Sequence, residues 1–375
     1  MSLLIEAVLF GAMAARFNWI GDIKPKACST LDGLRGVLAM LVFVSHIVTS
    51  YFYWGGEPWQ YPNHRLFTYF GEAGVAVFFM ITAFLFIGKL VNSEQISWKK
   101  LYVNRLFRIG PLYFIAASAV LYTALLVKGF RVDVSLSEML ISVIQLYSLG
   151  LFSVPEVNGN TQTWIFIAGT PWTLQYEWLF YLSLPLSWYL LKKFGSKSFI
   201  VLVCFLVVCL FAINTESGFI KKHISIFSYF AMGTLAVFMS RIAWLRQFAS
   251  KRSGSWVILF TLAILYWNYP DVLGVPQALL LGIAFVLIVS GSDFFGLLQM
   301  NAMRLLGEIS FSIYLLHGSV LYLVMMGLYR MVTQYGVTGY WVLSLTLVPL
   351  VIILSIITFR LVELPGQHIG RILIV

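Results

Sequence analysis

Residues 31–52 read LDGLRGVLAMLVFVSHIVTSYF, an apolar run with a polar head and one histidine in its interior. A membrane-spanning helix needs about 20 predominantly apolar residues, so this stretch predicts a transmembrane helix. Arg35 and His46 are eleven residues apart, about three helical turns, so they share one helix face with His46 roughly 16 Å deeper. Asp32 lies one turn before Arg35 and is placed to pair with it.

The rest of the chain has the same apolar character. Of its 375 residues, 60% are hydrophobic and 11% are charged, and the mean hydropathy is +0.88. Soluble domains carry about 25% charged residues, so the composition excludes a soluble globular domain and a disordered chain. The net charge of +10 comes from short basic clusters between apolar runs, as the positive-inside rule describes, and we expect no nucleic-acid partner.

The apolar runs predict an all-α bundle of ten membrane spans with both termini in the cytoplasm. An eleventh run, 139–152, is shorter than a span requires and is either re-entrant or interfacial. Counting it as a span would place the basic cluster 192–197 outside, against the positive-inside rule. The ten predicted spans are 34–54, 71–90, 109–128, 172–191, 198–214, 224–240, 255–269, 276–291, 306–329 and 340–362.

We expect one membrane domain over residues 31–370, without a linker or a low-complexity tract. A cytoplasmic or interfacial lead-in over 1–30 precedes it, and a cytoplasmic tail over 371–375 follows. The apolar run near the N-terminus carries Glu6 and has no basic region before it, which is not the pattern of a cleavable signal peptide.

Several ionisable side chains fall inside predicted spans, where a charge costs at least a few kcal/mol and requires a partner or a function. Glu177 is the single carboxylate of its span, and His46 and His317 lie in two others. Ser310, Tyr314 and His317 follow one another at i, i+4 and i+7, which forms one polar stripe. The structural alternatives are a histidine bonded to a neighbouring helix and a stripe that joins helices. Together these residues predict an internal site in which histidine acts as a general base.

Arg105 and Arg108 are one helical turn apart, just before a turn expected at Pro111. Guanidinium groups bind phosphates bidentately, so the pair is a candidate phosphate site although the chain has no phosphate-binding glycine loop. The alternative is ordinary basic flanking of a span, as we infer for Lys99 and Lys100. The three cysteines have neither disulfide-framework nor zinc spacing, and we expect no metal; ligation by the intramembrane histidines and Glu177 is the alternative.

These motifs occur together in an order that resembles the bacterial acyltransferase-3 family, whose members are multi-span enzymes that acylate surface glycans and other secreted molecules. The most specific match is LDGLRG with ten residues between Arg35 and His46. The chain departs from the family in TAF at 82–84, where Ser-Gly-Phe is usual, and in Thr173, where Ser is usual. The supporting blocks are GVAVFFMITAFL (74–85), RLFRIGPLY (105–113), PWTLQYEWLFY (171–181), LGEISFSIYLLH (306–317) and VELPG (362–366).

The resemblance implies a bacterial inner-membrane O-acyltransferase without a fused extracytoplasmic domain. It implies an acyl-CoA donor, usually acetyl-CoA, and an acceptor hydroxyl on a glycan such as lipopolysaccharide or its lipid-linked precursor. It implies that His46 and Glu177 are catalytic, that Arg35 belongs to the motif of His46, and that Arg105 and Arg108 engage the CoA phosphates. The supporting site residues are Asp32, Trp172, Tyr181, Ser310, Tyr314 and His317.

Other functions stay open at this point. Intramembrane histidine and glutamate also serve proton relays in transporters, although no internal repeat is evident here. A structural partner of a glycan-assembly complex is a third possibility, and succinyl or a longer acyl group is an alternative to acetyl. Aromatic residues near the predicted outer ends of the spans either stack on sugars or form an interfacial belt. They are Tyr51, Tyr53, Trp54, Trp59, Tyr61, Trp164 and Trp172.

Overall fold

A computed structural model describes residues 2–20, 29–61, 64–195, 206 and 218–374. Most of these residues are helical, with no strand among them beyond one isolated bridge between Val157 and Asn160. The α-helices are α1 (Ser2–Arg16), α2 (Ser29–Trp54), α3 (Arg65–Asn92), α4 (Trp98–Val127), α5 (Leu136–Leu146), α6 (Trp172–Phe194), α7 (Gly218–Met239), α8 (Ala243–Ala249), α9 (Arg252–Asn268), α10 (Val275–Val289), α11 (Asn301–Glu308), α12 (Ser310–Thr358) and α13 (Leu364–Ile372). The 3-10 helices are Thr163–Ile167 and Leu297–Gln299, and Phe359–Glu363 is a π-helix.

Within the described residues, six helical segments are long and apolar enough to cross a membrane. Each overlaps one of the ten predicted spans, so the all-helical, multi-pass architecture is confirmed, whereas the number ten and the sidedness of the termini stay predictions. The six segments are Thr30–Trp54, Arg65–Asn92, Trp98–Val127, Ile220–Met239, Ser310–Arg330 and Gln334–Ile372.

Four predicted spans have no counterpart among the six. The predicted span 198–214 lies outside the described residues, save Leu206. Helices α9 and α10 occupy two others but have 17 and 15 residues, fewer than the roughly 20 that cross a bilayer perpendicularly. Helix α6 fills the fourth, and its hydropathy is lowered by Glu177 and by tryptophan, tyrosine and serine side chains.

The sequence left open whether the segment 139–152 is re-entrant or interfacial. Its first half lies in helix α5. Ser135 and Glu138 form a capping box, in which the backbone N–H of each is bound by the side chain of the other. Hydrogen bonds donated to the Glu138 carboxylate by the backbone N–H and the hydroxyl of Ser135 hold the pKa of Glu138 below its usual value. With 11 residues and exposed Leu140 and Ile144, the helix is too short to span and has an apolar face suited to the interface.

The expected lead-in over 1–30 contains a packed helix. Helix α1 lies against α11 and α12, and it buries Leu3, Ala7 and Ala14 in a hydrophobic cluster that includes Phe43 and Met303. These side chains repeat at helical spacing, which is how α1 presents one apolar face to the bundle. The described part of the lead-in therefore packs against the helix bundle, and the domain bounds stay predictions.

Helix α2 carries the LDGLRG motif and packs against α3, α11 and α12. A Cβ atom at Gly33 would lie 1.9 Å from the carbonyl oxygen of Leu298, and one at Gly307 would lie 1.8 Å from that of Asp32. Only glycine permits such close backbone contact. Gly33 and Gly307 therefore allow α2 to pack tightly against the segment 297–308. This contact fixes the position of Arg35.

Helix α12 accounts for two predicted spans, 306–329 and 340–362. It begins at Ser310, because the backbone leaves helical geometry briefly at Ile309, so the predicted start at 306 is wrong by about one turn. Its two halves meet at Gly336, whose φ of 60° and ψ of −152° are not helical. The half that begins at Ser310 carries the predicted polar stripe past helix α2.

Candidate active site

A cavity of about 280 Å³ lies between α2, α3, α4, α6 and α12, and we name it the arginine cavity. Most of the predicted site residues meet there, although they come from distant parts of the chain. Apolar side chains, among them Phe78, Phe86 and Phe311, form the rest of its wall. Its polar lining consists of Arg35, Thr82, Arg105, Arg108, Thr173, Glu177, Tyr181, Glu308, Ser310, Tyr314 and Gln367.

Glu177 is held among the arginines of this cavity. Its Oε2 atom accepts a hydrogen bond of 2.8 Å from the hydroxyl of Tyr181, one turn along α6. Arg35 and Arg105 interact with it electrostatically, and the Arg105 guanidinium lies 4.6 Å from the centre of the Phe86 ring. The carboxylate therefore compensates and orients cationic groups.

Arg108 has a partner that the sequence did not indicate. Its Nη2 atom lies 3.9 Å from Oε2 of Glu363, a fully buried carboxylate in the π-helix. The hydroxyl of Ser312 donates to Oε1 of Glu363 and in turn receives a 3.1 Å hydrogen bond from Thr358. The only sequence signal for this partner was a carboxylate within the otherwise apolar block VELPG. In the structure, the π-helix turns this carboxylate toward the interior. On α2, Arg35 lies 4.0 Å from Asp32, as predicted.

A second cavity of about 300 Å³ adjoins the first, and we name it the basic groove. It shares Arg105, Arg108 and Gln367 with the arginine cavity. Lys89 and Arg371 line it as well, together with Asn104, Leu85, Phe86 and Leu101, and no carboxylate is among its described lining residues. A groove with four cationic side chains and no lining acid is suited to an anionic ligand. Sequence analysis missed Lys89 and Arg371, which looked like ordinary basic residues at span ends.

Helix α4 corrects one local prediction. It starts at Trp98 and runs through Pro111, so Arg105 and Arg108 lie inside the helix and the expected turn at Pro111 is wrong. Proline has no N–H for the Phe107 carbonyl. Gly366 of α13 packs at this place, where a Cβ atom would lie 2.6 Å from Pro111 and 3.1 Å from that carbonyl oxygen. Packing by α13 thus stabilises a helix that proline would otherwise break.

A third cavity, of about 410 Å³, contains His46, and we name it the tryptophan cavity. Of the predicted supporting residues, it contains Trp172. The Trp59 ring lies 6.0 Å from the imidazole of His46 and 6.5 Å from the Trp164 ring, between centroids. The cavity is lined by His46, Thr49, Trp59, Gln60, Tyr61, Ser153, Val154, Trp164, Ala168, Gly169 and Trp172.

The two intramembrane histidines meet behind this cavity. Nδ1 of His46 lies 2.8 Å from Nε2 of His317, a contact between residues 271 positions apart in the chain. His317 is completely buried, and its Nδ1 lies 2.9 Å from the carbonyl oxygen of Ile313. Glu177 lines the arginine cavity instead, so the shared site expected for these three residues is divided between two cavities.

Tyr314 lies at the boundary between the two cavities. Its side chain lines the arginine cavity, and its ring centroid is 6.2 Å from that of His317. Its hydroxyl donates to the carbonyl of Thr170 at 3.2 Å and lies 3.1 Å from the hydroxyl of Thr173. Thr170 follows directly on Gly169, a lining residue of the tryptophan cavity. A hydrogen-bonded partition therefore separates the arginines from His46.

Comparison with known protein families shows which family the chain that carries these motifs belongs to. Residues 29–360, most of the chain, match the model of the acyltransferase-3 family, which is described as an acyltransferase domain. The chain belongs to the acyltransferase-3 family. It is accordingly an acyltransferase, and its apolar helices make it a multi-pass membrane protein. Searches of curated proteins and of solved structures return no match.

The described part of this acyltransferase holds no group of three or more histidine, cysteine, aspartate or glutamate side chains arranged to bind a metal ion. The expectation of metal-free chemistry remains a prediction. The side chains that are brought together here support proton transfer, through the histidine pair, and anion binding, through the arginines and the basic groove.

Proposed function

We propose that this acyltransferase transfers an acyl group, in the first instance acetyl, from acyl-CoA to a hydroxyl of a glycan or lipid-linked saccharide across the bacterial inner membrane. The observation that carries the proposal is the pair of chemically opposite cavities on either side of Tyr314. One has three arginines and continues into a basic groove; the other has His46, whose Nδ1 lies against the buried His317, and three tryptophans.

The donor fits the arginine side. CoA carries a diphosphate and a further phosphate at one end and a long, thin, thioester-bearing arm at the other. Lys89, Arg105, Arg108 and Arg371 supply cationic donors to the phosphates, and the three arginines have the bidentate forks that suit them. The arm would then follow the apolar part of the wall of the arginine cavity, which includes Phe78 and Phe311, toward Tyr314.

The orientation follows from the same residues. The arginine side lies where α3 ends and α4 begins, and exposed Lys99 and Lys100 are at that end of α4. Basic residues next to span ends favour the cytoplasm, where acyl-CoA is made. The tryptophan cavity adjoins the opposite ends of these helices and would face the periplasm.

The acceptor fits the tryptophan side. Aromatic rings stack on the apolar faces of sugars, and Trp59, Trp164 and Trp172 line this cavity around His46. The acceptor hydroxyl oxygen attacks the thioester carbonyl carbon, and its proton passes to His46. The C–S bond breaks, and the CoA sulfur leaves with the electron pair and finally takes up the proton. General-base catalysis of this kind contributes about 10²–10⁴-fold in rate.

Two measurements test the proposal. Purified protein in lipid nanodiscs, given radiolabelled acetyl-CoA and a lipid extract containing glycan precursors, should release CoA and label a saccharide. A deletion strain should lack an ester group on a surface polysaccharide, seen by mass spectrometry and NMR, that returns with the wild-type gene. Transport of an intact molecule without CoA release would contradict acyl transfer, and labelling by succinyl-CoA alone would replace acetyl as the group.

A further inference from the structure

We infer that His317 is a positioning residue that holds His46 as its Nδ1–H tautomer, so that Nε2 of His46 is the atom that accepts the substrate proton. The inference rests on the proposed role of His46 as the base and adds to it the tautomer and the partner. It comes from hydrogen-bonding rules applied to three groups in a row: the imidazole of His46, the imidazole of His317 and the carbonyl of Ile313.

The first rule concerns the backbone. A carbonyl oxygen can only accept a hydrogen bond, so Nδ1 of His317, 2.9 Å from the Ile313 carbonyl, must carry a hydrogen. A neutral imidazole has one N–H and one acceptor nitrogen. Nε2 of a neutral His317 is therefore an acceptor.

The second rule then fixes His46. Its Nδ1 lies 2.8 Å from the acceptor Nε2 of His317, so Nδ1 of His46 carries the hydrogen of that bond. The ring centroids are 5.0 Å apart with an interplanar angle of 15°. Because 2.8 Å is shorter than the roughly 3.5–4.0 Å contact of stacked rings, the two nearly coplanar rings meet edge to edge, as an N–H···N bond requires. Nε2 of His46 keeps its lone pair.

Burial gives the two histidines different tasks. His317 is completely buried beside Phe43 and Tyr314 and lines none of the three cavities, whereas His46 is partly exposed and lines the tryptophan cavity. When Nε2 of His46 takes the hydroxyl proton, the cation that forms still donates through Nδ1 to His317. The positive charge is then shared along a bond that exists before the reaction, which needs no rearrangement.

Two variants of His317 separate positioning from packing. His317→Gln keeps a polar acceptor near the place of Nε2, whereas His317→Leu keeps bulk without an acceptor. We expect kcat to fall about 10²–10⁴-fold in His317→Leu, as for loss of a general base. His317→Gln should stay within about tenfold of wild type. The KM for acyl-CoA should be unchanged in both, since His317 does not line the donor cavities, and His64→Gln, at an exposed histidine, is the matched control.

The tautomers of His46 and His317 can be measured directly, without substrate. Solid-state NMR of ¹³C,¹⁵N-histidine-labelled protein in lipid distinguishes protonated from unprotonated ring nitrogens, and the signals of His46 are those missing in His46→Gln. We expect His46 and His317 both to be protonated at Nδ1 and not at Nε2 in the wild type. In His317→Leu the proton of His46 should move to Nε2, and in His317→Gln it should stay on Nδ1.

A wild-type His46 protonated at Nε2 would overturn the inference, and so would wild-type kcat in a folded His317→Leu protein. If His317→Leu does not fold, the wild-type and His317→Gln spectra still decide. A protein with the expected tautomers but without CoA release would refute the proposed function and leave the histidine geometry standing, so the two failures are distinguishable.

Discussion

At the scale of single residues, His46 and the arginines lie in different cavities, and donor binding is therefore separable from chemistry. His46→Gln removes the base but leaves the arginine cavity and basic groove intact. We expect acyl transfer to fall by about 10²–10⁴-fold while the affinity for acyl-CoA stays at the wild-type value. Binding of a radiolabelled, non-hydrolysable acyl-CoA analogue and product formation measure the two quantities.

A folded His46→Gln protein that transfers at the wild-type rate would exclude His46 as the base, and Glu177 would become the leading candidate. A parallel loss of donor affinity would indicate that His46 acts in the donor site instead. Glu177→Gln provides the contrast: because Glu177 compensates Arg35 and Arg105, it should change donor binding as well as turnover.

Arg105 and Arg108 give the reciprocal prediction. Each lines both the arginine cavity and the basic groove, where the proposal places the donor. A hydrogen bond to a charged group contributes about 1.5–3 kcal/mol, so Arg105→Ala or Arg108→Ala should weaken acyl-CoA binding about 10-fold to 100-fold. Lysine at either position should restore binding only in part, because it lacks the bidentate fork. Lys100→Ala, on the same helix but outside both cavities, should bind normally. Unchanged affinity in the double alanine variant would remove the phosphate role.

At the scale of elements, the contact between α2 and α11 depends on Gly307. An added Cβ atom would lie 1.8 Å from the Asp32 carbonyl, so Gly307→Ala should lower the free energy of unfolding by at least about 1–3 kcal/mol. Gly327→Ala is the matched control, because nothing lies within 4 Å of a Cβ atom there. Thermal unfolding in detergent measures both. Equal melting temperatures for the two variants would show that the close helix contact does not limit stability.

The prediction of elements from sequence succeeded where local rules are sufficient. Hydropathy located the six helical segments that are long and apolar enough to cross a membrane. Helical spacing placed Arg105 and Arg108 on one face of α4, and both line the basic groove. It failed where the outcome depends on a distant partner. Pro111 looked like a turn because nothing local shows that α13 packs against it. Apolar runs alone also predicted spans at 255–269 and 276–291, where α9 and α10 have only 17 and 15 residues.

The candidate site shows the same limit more sharply. Arg35, Asp32 and His46 were recognisable from spacing within one helix. The pairing of His46 with His317, and the burial of Glu363 beside Arg108, join residues from separate helices. No local pattern encodes which of several intramembrane polar groups will meet. Sequence reasoning therefore grouped Glu177 with the histidines, whereas the fold groups it with the arginines.

At the scale of the whole molecule, the proposed orientation places the loop after α3 in the cytoplasm and the loop before α6 outside. In a variant with Cys28, Cys204 and Cys209 replaced by serine, we test single cysteines at two exposed positions. Thr161→Cys should react with an impermeant maleimide in intact cells, and Glu94→Cys should react only after permeabilisation. The opposite pattern would reverse the orientation and place the basic groove outside.

The partition around Tyr314 has a consequence for the energy supply of the cell. In the proposed orientation, the donor and tryptophan cavities approach each other from opposite faces of a membrane that stores a proton gradient. A continuous water path between them would let protons return without doing work. The hydroxyl contacts of Tyr314 with Thr170 and Thr173 lie at the place where such a path would run. In the proposed mechanism, the acyl group must therefore pass Tyr314 without a continuous water path opening between the two faces of the membrane.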